Sequence, residues 1–145
     1  MRAFLVLMLL AANAQAATPP ARFGVDDLAR LVDLTEPALS PDGNAVVYVA
    51  TSANPAEDKS QSDLWRVHQD GTHRTRLTDT PKHDESRPQW SPDGTSIAFL
   101  SDRGGEDATT QVWIMPAKGG EARRLTKFGE SIDAVSYTHL TLPTN

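Results

Sequence analysis

The tetrapeptide Ser-Pro-Asp-Gly occurs twice in this chain, and this repetition constrains the fold more than any other feature of the sequence. Residues 40–43 form the first copy, and residues 91–94 form the second copy 51 positions later. Three further features recur in the same order: an apolar run, a segment around a tryptophan, and a Leu-Thr pair. The corresponding segments are 46–49 and 97–100, 63–67 and 111–115, and 76–78 and 124–126. Such self-similarity indicates a fold that is built from repeated units.

Each unit is predicted to contain four short strands. In Ser-Pro-Asp-Gly the proline suits position i+1 of a tight turn, the aspartate suits i+2, and the glycine suits the left-handed conformation that follows. A second turn is predicted at 118–121, which corresponds to 69–72 in the first unit. The β-branched and aromatic content of the segments between the turns favours strands. The predicted strands of the second unit are 87–90, 96–101, 111–115 and 121–126.

Four strands in a unit of roughly 40 to 50 residues are typical of a β-propeller blade. We therefore predict an all-β fold, a partial β-propeller at 37–134 with two four-stranded blades at 37–80 and 87–128. The polar stretch at 52–61 is predicted to be a loop insertion in the first blade. The alternative is a pair of unrelated meanders in a β-sandwich. Propellers close as rings of roughly four to eight blades, so we expect two blades to belong to a larger protein.

The N-terminus has the pattern of a secretory signal peptide. Arg2 precedes an apolar run at 3–12, and Ala14-Gln15-Ala16 provides the small residues that a signal peptidase requires. The apolar run is shorter than the roughly 20 residues that span a bilayer. We predict a signal peptide at residues 1–16, cleavage after Ala16, and a periplasmic or secreted protein that has no membrane attachment after cleavage. The alternatives are an uncleaved anchor and a buried helix.

Residues 17–36 are predicted to be a leader that contains one short helix. Within residues 26–34, Leu28, Leu31 and Val32 fall at the i, i+3 and i+4 positions of a helical face. The two aspartates at the start of this segment suit the positive end of a helix dipole. Pro37 is predicted to end the helix and to begin the first blade.

Composition and charge exclude several classes of partner and site. The net charge of −5 makes a nucleic acid an unsuitable partner, because phosphate binding needs a basic surface. The chain has no cysteine, so it offers neither a disulfide framework nor a thiolate metal site. Its four histidines are scattered and form no metal-binding pattern. We therefore assign no cofactor and no metal, and the oligomeric state is not predicted.

The last residues do not continue the repeat. The spacing predicts a third Trp-Ser-Pro-Asp-Gly near residue 138, but the chain departs from the repeat after Ala134. Residues 135–144 match the translation of a transposase-based sequencing adapter, so we interpret 135–145 as adapter sequence, with the junction between Ala134 and Tyr137. A genuine C-terminal tail is the alternative. On this interpretation His139 is not a catalytic candidate.

No catalytic group is assigned within the chain. A serine nucleophile elbow requires Gly-x-Ser-x-Gly on a strand-to-helix turn, and the segments around Ser96 and Ser131 both lack the second glycine. The remaining histidines (His68, His73 and His83) are interpreted as solvated surface groups without a paired nucleophile. The three tryptophans (Trp65, Trp90 and Trp113) are interpreted as packing residues, Trp90 between the blades. The predicted list of catalytic, cofactor-binding and metal-binding residues is therefore empty.

The repeats resemble the TolB-like subclass of propeller repeats. The resemblance rests on Pro88-x-Trp90-Ser-Pro-Asp-Gly with Ile97-Ala-Phe, on Ser101-Asp-Arg, and on the later Val-Trp, Gly-Gly and Leu-Thr pairs. The leader, from Phe23 through Asp26-Asp-Leu to the first turn, resembles the start of secreted prolyl oligopeptidase family enzymes. Their acylaminoacyl peptidase and dipeptidyl aminopeptidase branch is the most similar.

This resemblance implies a serine peptidase whose N-terminal propeller covers a C-terminal α/β-hydrolase domain. A Ser-Asp-His triad in that domain would cleave short peptides, the propeller would restrict access by size, and residues 17–145 alone would be inactive. The alternative is a TolB-like periplasmic scaffold without enzymatic activity. TolB-like proteins carry a separate α/β domain before the first blade, whereas only about twenty residues separate the predicted cleavage site from Ser40. Another extracytoplasmic propeller, such as a lyase or a sugar-binding module, is a third possibility.

Overall fold

The computed structural model describes residues 24–28, 30–54, 58–104 and 109–137. The predicted signal peptide and its cleavage site lie outside these residues, as does most of the predicted adapter segment. Within these ranges, one helical turn precedes eight strands. The elements are α1 (Val25–Leu28), β1 (Val32–Leu39), β2 (Ala45–Asn54), β3 (Lys59–His68), β4 (Thr75–Arg76), β5 (Glu85–Trp90), β6 (Ser96–Ser101), β7 (Gln111–Pro116) and β8 (Arg123–Arg124).

The strands form two four-stranded antiparallel sheets, which confirms the predicted all-β class. The strand order is β1-β2-β3-β4 in the first sheet and β5-β6-β7-β8 in the second. Each strand therefore pairs with its neighbour in the chain, as in a propeller blade. The two sheets are equivalent in register, because Tyr48 pairs with Trp65 and Phe99 pairs with Trp113.

The predicted helix at 26–34 is wrong in its second half. The helical turn ends at Leu28, and β1 begins at Val32, so the first sheet starts before residue 37 and includes Pro37. Leu28 and Leu31 are 52% and 57% exposed, so the predicted helical face is not packed against any part of the chain that the structure describes. A short helix gains most of its stability from such packing, whereas the strand gains a backbone ladder with β2.

The outermost strands are shorter than the predicted 121–126. In each sheet, two successive backbone N–H groups converge on one carbonyl: Leu77 and Thr78 donate to Leu64, and Leu125 and Thr126 donate to Val112. A shared acceptor ends the regular ladder after two residues. After β4 the chain crosses to β5, the innermost strand of the second sheet.

The main core lies between the two sheets. Because side chains alternate along a strand, one set of β2 and β3 residues faces the second sheet, where it meets residues of β6 and β7. The members of this cluster are Val47, Val49, Leu64, Ile97, Phe99, Met115 and Ala117. A second, smaller cluster on the other face of the second sheet contains Ala98, Leu100 and Val112, with Ile132, Val135 and Tyr137 packed against it. No helix in the described part of the chain is long and apolar enough to cross a membrane.

The antiparallel order places the loops at two opposite ends of the sheets. Both Ser-Pro-Asp-Gly turns lie at one end, together with the β3–β4 and β7–β8 connections; we call this the turn end. The chain enters β1 and leaves β4 and β8 at the opposite end, which we call the entry end. Every unit therefore begins and ends at the entry end.

Candidate functional site

The innermost strands of the two sheets, β1 and β5, each contain a bulge at the same repeat position. The register shifts between Thr35 and Ala38 in β1 and between Ser86 and Gln89 in β5. The bulged residues are Glu36 and Arg87, with φ angles of 52° and 53°. A residue with a Cβ is strained in this left-handed region by about 1 kcal/mol or more. Bulges of this kind redirect side chains and are common beside functional sites.

The bulges also connect the two sheets. The backbone N–H of Arg87 donates a hydrogen bond to Oε2 of Glu36, and Nε1 of Trp90 donates to the carbonyl of Ala38 over 2.9 Å. Glu36 and Arg87 are exposed on the strands that would lie nearest the axis of a closed propeller. We therefore take these two residues as the candidate functional surface. These two residues were not predicted from the sequence, although a charged residue before a proline recurs at the 51-residue spacing.

A buried ion pair of the second sheet lies near the entry end, where a hydroxyl group of the first sheet also contacts it. The Glu85 carboxylate is fully buried, and Nη2 of Arg103 lies 2.8 Å from its Oε1. Oγ1 of Thr78, from the first sheet, donates to Oε2 over 3.0 Å, and Oγ of Ser101 donates to Oε1 over 3.2 Å. The Arg103 guanidinium also lies over the ring of Trp113. These hydrogen bonds and the ion pair offset the free-energy cost of burying a charged carboxylate.

Burial raises the pKa of Glu85 above its ordinary value, and the Arg103 guanidinium partly offsets this increase. A raised pKa in a cleft is a signal of a functional group, but structural ion pairs produce the same shift. Glu85 is inaccessible and its oxygens are occupied by side chains of both sheets. We therefore interpret it as a positioning group between the blades.

The two Ser-Pro-Asp-Gly turns have the same internal hydrogen bonds. Oγ of Ser40 donates to Asp42 over 2.6 Å, and the N–H of Asn44 donates to the same carboxylate oxygen over 3.1 Å. These bonds, with the Ser40 hydroxyl as the largest contribution, lower the pKa of Asp42 to about 2. The Ser91 hydroxyl lowers the pKa of Asp93 in the same way. The motif is thus a self-contained turn, and its aspartates are not free to act as acids or bases.

The residues that were considered as catalytic candidates lie apart from one another. Ser96 begins β6, where its backbone N–H donates to Oγ of Ser91, and Oγ of Ser131 accepts a hydrogen bond from the N–H of Thr110. The structure brings none of these hydroxyls to a histidine among the contacts of the described residues. No group of three potential metal ligands occurs in the part of the chain that the structure describes.

The histidines and tryptophans have local contacts. His68 and His73 stack with ring centroids 4.7 Å apart at the turn end, and Nδ1 of His83 lies 3.2 Å from Oδ1 of Asp102 at the entry end. Trp90 and Trp113 pack against the core between the sheets. The equivalent Trp65 lies under the guanidinium of Arg74, which is 4.6 Å from the centroid of the ring.

Comparison with known proteins agrees with this architecture. The TolB β-propeller domain family matches residues 31–139. The uncharacterized peptidase YuxL of Bacillus subtilis is 38% identical over 101 residues, which are 70% of this chain and 15% of YuxL. Dipeptidyl-peptidase 5 of Porphyromonas gingivalis is 40% identical over 72 residues, which are 50% of this chain and 10% of that protein. The chain therefore spans less than a fifth of these relatives.

Solved structures give the same result. The acylaminoacyl peptidase of Pyrococcus horikoshii matches 75% of this chain and 16% of its own, with 27% identity and a TM-score of 0.61. The β-propeller domain of the Trilobed protease from Pyrococcus furiosus matches 68% of this chain with a TM-score of 0.53, and at 23% identity it supports the fold alone. The family match covers most of the chain, and both sheets have the order of propeller blades. The chain therefore belongs to the TolB β-propeller domain family.

Proposed function

We propose that this chain is the N-terminal propeller portion of an exported serine peptidase that hydrolyses short peptides. The observation that carries the proposal is the 38% identity to a peptidase over 101 residues, supported by the similarity to dipeptidyl-peptidase 5 and to acylaminoacyl peptidase. The serine mechanism and the hydrolase domain come from the family resemblance of the repeats and the leader. Export comes from the signal-peptide pattern at residues 1–16.

The topology supports a gating role for the propeller. Each unit begins and ends at the entry end, so a domain that continues the chain after the last blade would be connected there. Peptides would then approach through the channel from the turn end and pass the first strand of each blade. Glu36 and Arg87 are exposed on these strands, where their side chains would limit the width of the passage.

Activity is tested with the full reading frame from which this chain derives. We expect the purified product to cleave short chromogenic peptides but not folded proteins, and to be labelled and inactivated by a fluorophosphonate. The 145-residue chain is the matched control and should be inactive and unlabelled. N-terminal sequencing of the exported product should start at Ala17. A full-length protein that neither cleaves peptides nor reacts with the fluorophosphonate would refute the proposal.

Gating is tested by widening or narrowing the passage. Arg87→Trp should reduce kcat/KM for long peptides more than for dipeptide derivatives, because a larger ring would obstruct the channel. Arg123→Trp, at an exposed position on the outer strand β8, is the matched control and should leave the dependence on peptide length unchanged. An equal effect of both variants at all lengths would contradict the gating role.

A non-enzymatic scaffold of the TolB type is the second candidate. A putative TolB from Agrobacterium tumefaciens matches 68% of this chain with 26% identity and a TM-score of 0.50. The same full-length experiment separates the two candidates. A reading frame that closes the propeller and then ends, with no hydrolase domain and no labelling, would support the scaffold.

A further inference from the structure

A cleft of about 610 Å³ lies between the two sheets at the turn end, outside the channel surface and away from the buried ion pair. Ala45, Trp90 and Ala117 form its apolar part. Arg66 and His68 of β3 and Lys118 of the β7–β8 turn contribute its basic groups. A volume of this size suits a small molecule or a few residues of a peptide. The cleft faces away from the entry end, so a domain connected there would leave it accessible.

The carboxylates around the cleft are occupied by their own turns. Asp42 and Asp93 accept hydrogen bonds within the two Ser-Pro-Asp-Gly turns, and Asp70 accepts bonds from the N–H and the hydroxyl of Thr72 over 2.9 and 2.7 Å. Hydrogen bonds from their own turns lower the pKa of all three aspartates. None of them lies within 4.0 Å of a basic side chain of the cleft.

Arg66, in contrast, has no counterion among the described residues. Its Nε is buried and has no hydrogen-bond partner, and Nη2 has only a contact of 3.5 Å with Nε2 of His68. Arg66 follows Leu64 on the face of β3 that packs against the second sheet, so its position is fixed by the core. Lys118, on the opposite wall, also forms no ion pair in the described structure. A buried donor without a protein partner is rare in native proteins, and a carboxylate bound in the cleft would supply an acceptor for this one.

We propose that this cleft binds a carboxylate, with the guanidinium of Arg66 as the principal donor and Lys118 as a second positive charge. A guanidinium presents two parallel N–H groups that match the two oxygens of a carboxylate. The neighbouring apolar surface from Trp90 and the two alanines would accept the carbon skeleton of the ligand. The ligand class is a small organic acid or the terminal carboxylate of a peptide. This inference is independent of the peptidase activity proposed above.

Succinate is the probe, and its uncharged analogue succinamide is the matched ligand control. In the ¹⁵N-labelled 145-residue chain, the side-chain Nε–H signal of Arg66 should shift with succinate in a saturable way and should not shift with succinamide. Saturating succinate should also raise the urea midpoint of unfolding, because a ligand that binds only the folded state stabilises it.

Arg66→Gln should weaken succinate binding about tenfold or more, because a charge-assisted hydrogen bond is lost. Arg74→Gln removes the same charge outside the cleft and should leave the affinity unchanged. Lys118→Gln, at an exposed turn position where a substitution leaves the fold intact, should weaken succinate binding by a smaller factor. The proposal would be overturned if the Arg66 signal does not shift with succinate, or if it shifts equally with succinamide. It would also be overturned if Arg66→Gln and Arg74→Gln weaken succinate binding equally, or if inorganic phosphate binds more tightly than succinate.

Discussion

Replacement of Arg103 by methionine tests the importance of the buried ion pair in the second sheet. Methionine keeps an unbranched side chain but removes the guanidinium, which lies over the rings of Phe99 and Trp113 and 2.8 Å from the Glu85 carboxylate. Removal of one partner leaves a fully buried carboxylate without its counterion, which costs about 3–5 kcal/mol. We expect Arg103→Met to lower the free energy of unfolding at neutral pH by this amount, measured by urea denaturation.

The loss of stability in Arg103→Met should depend on pH in a defined direction. The folded-state pKa of Glu85 is already raised, so the folded state binds more protons than the unfolded state, and stability falls as pH rises from the unfolded pKa to the folded pKa. Without Arg103 the folded pKa rises further, because that guanidinium favours the ionised form. The difference in the free energy of unfolding between the unsubstituted chain and Arg103→Met should therefore be smallest below the ordinary glutamate pKa of about 4.3 and should grow toward neutral pH.

Two comparisons make this prediction refutable. Arg30→Met breaks an exposed pair with Asp27, in which the atoms are 3.7 Å apart, and should cost less than about 1 kcal/mol at any pH. The double variant Glu85→Gln/Arg103→Met should be more stable than Arg103→Met at neutral pH, because no unpaired buried charge remains. If the deficit of Arg103→Met does not vary with pH, or if the double variant is no more stable, the reasoning is wrong.

Three further predictions concern packing, a hydrogen bond between the sheets, and a turn. Phe99→Ala should lower the free energy of unfolding, measured by urea denaturation, by about 3–5 kcal/mol. Phe128→Ala, at a position that is 60% exposed, should lower it by less than about 0.5 kcal/mol. Trp90→Phe removes the hydrogen bond to the Ala38 carbonyl and should cost about 0.5–1.5 kcal/mol; an unchanged midpoint would contradict this. The lowered pKa of Asp93 stabilises the fold above the unfolded pKa, and this contribution is lost as pH falls through the folded pKa. The stability difference between the native chain and Asp93→Asn should thus disappear in acid, and a difference that persists there would exclude the pKa effect.

The repeat could be predicted because each unit carries its own local signals. The Ser-Pro-Asp-Gly turns form with hydrogen bonds between residues only two to five positions apart, such as those of Ser91 with Asp93 and Ser96. Such turns depend little on the rest of the chain, so strands β5, β6 and β7 were located within one or two residues. The outer strand β8 was predicted too long, because its end depends on a carbonyl of β7.

The candidate sites could not be predicted, because their partners are distant in the chain. The bulge of Arg87 meets Glu36 across 51 positions, and the pair of Glu85 and Arg103 is completed by Thr78 of the other sheet. A charged residue in a strand looks solvated when only its neighbours in the sequence are considered. Its burial is decided by the packing of one sheet on the other, and its counterion is supplied by a loop of its own sheet.

The repeated unit, the turns and the all-β class could be predicted from the sequence because they depend on local backbone preferences and on the alternation of apolar side chains. Val32 belongs to a strand rather than to a helix because the backbone ladder with β2 outweighs a helical pattern whose apolar residues remain exposed. This outcome depends on the pairing of β1 with β2, so the segment alone could not indicate it. The packing of one sheet on the other buried Glu85 and left Arg66 without a counterion among the residues that the structure describes. These features follow from contacts between the two units, which neither unit encodes alone.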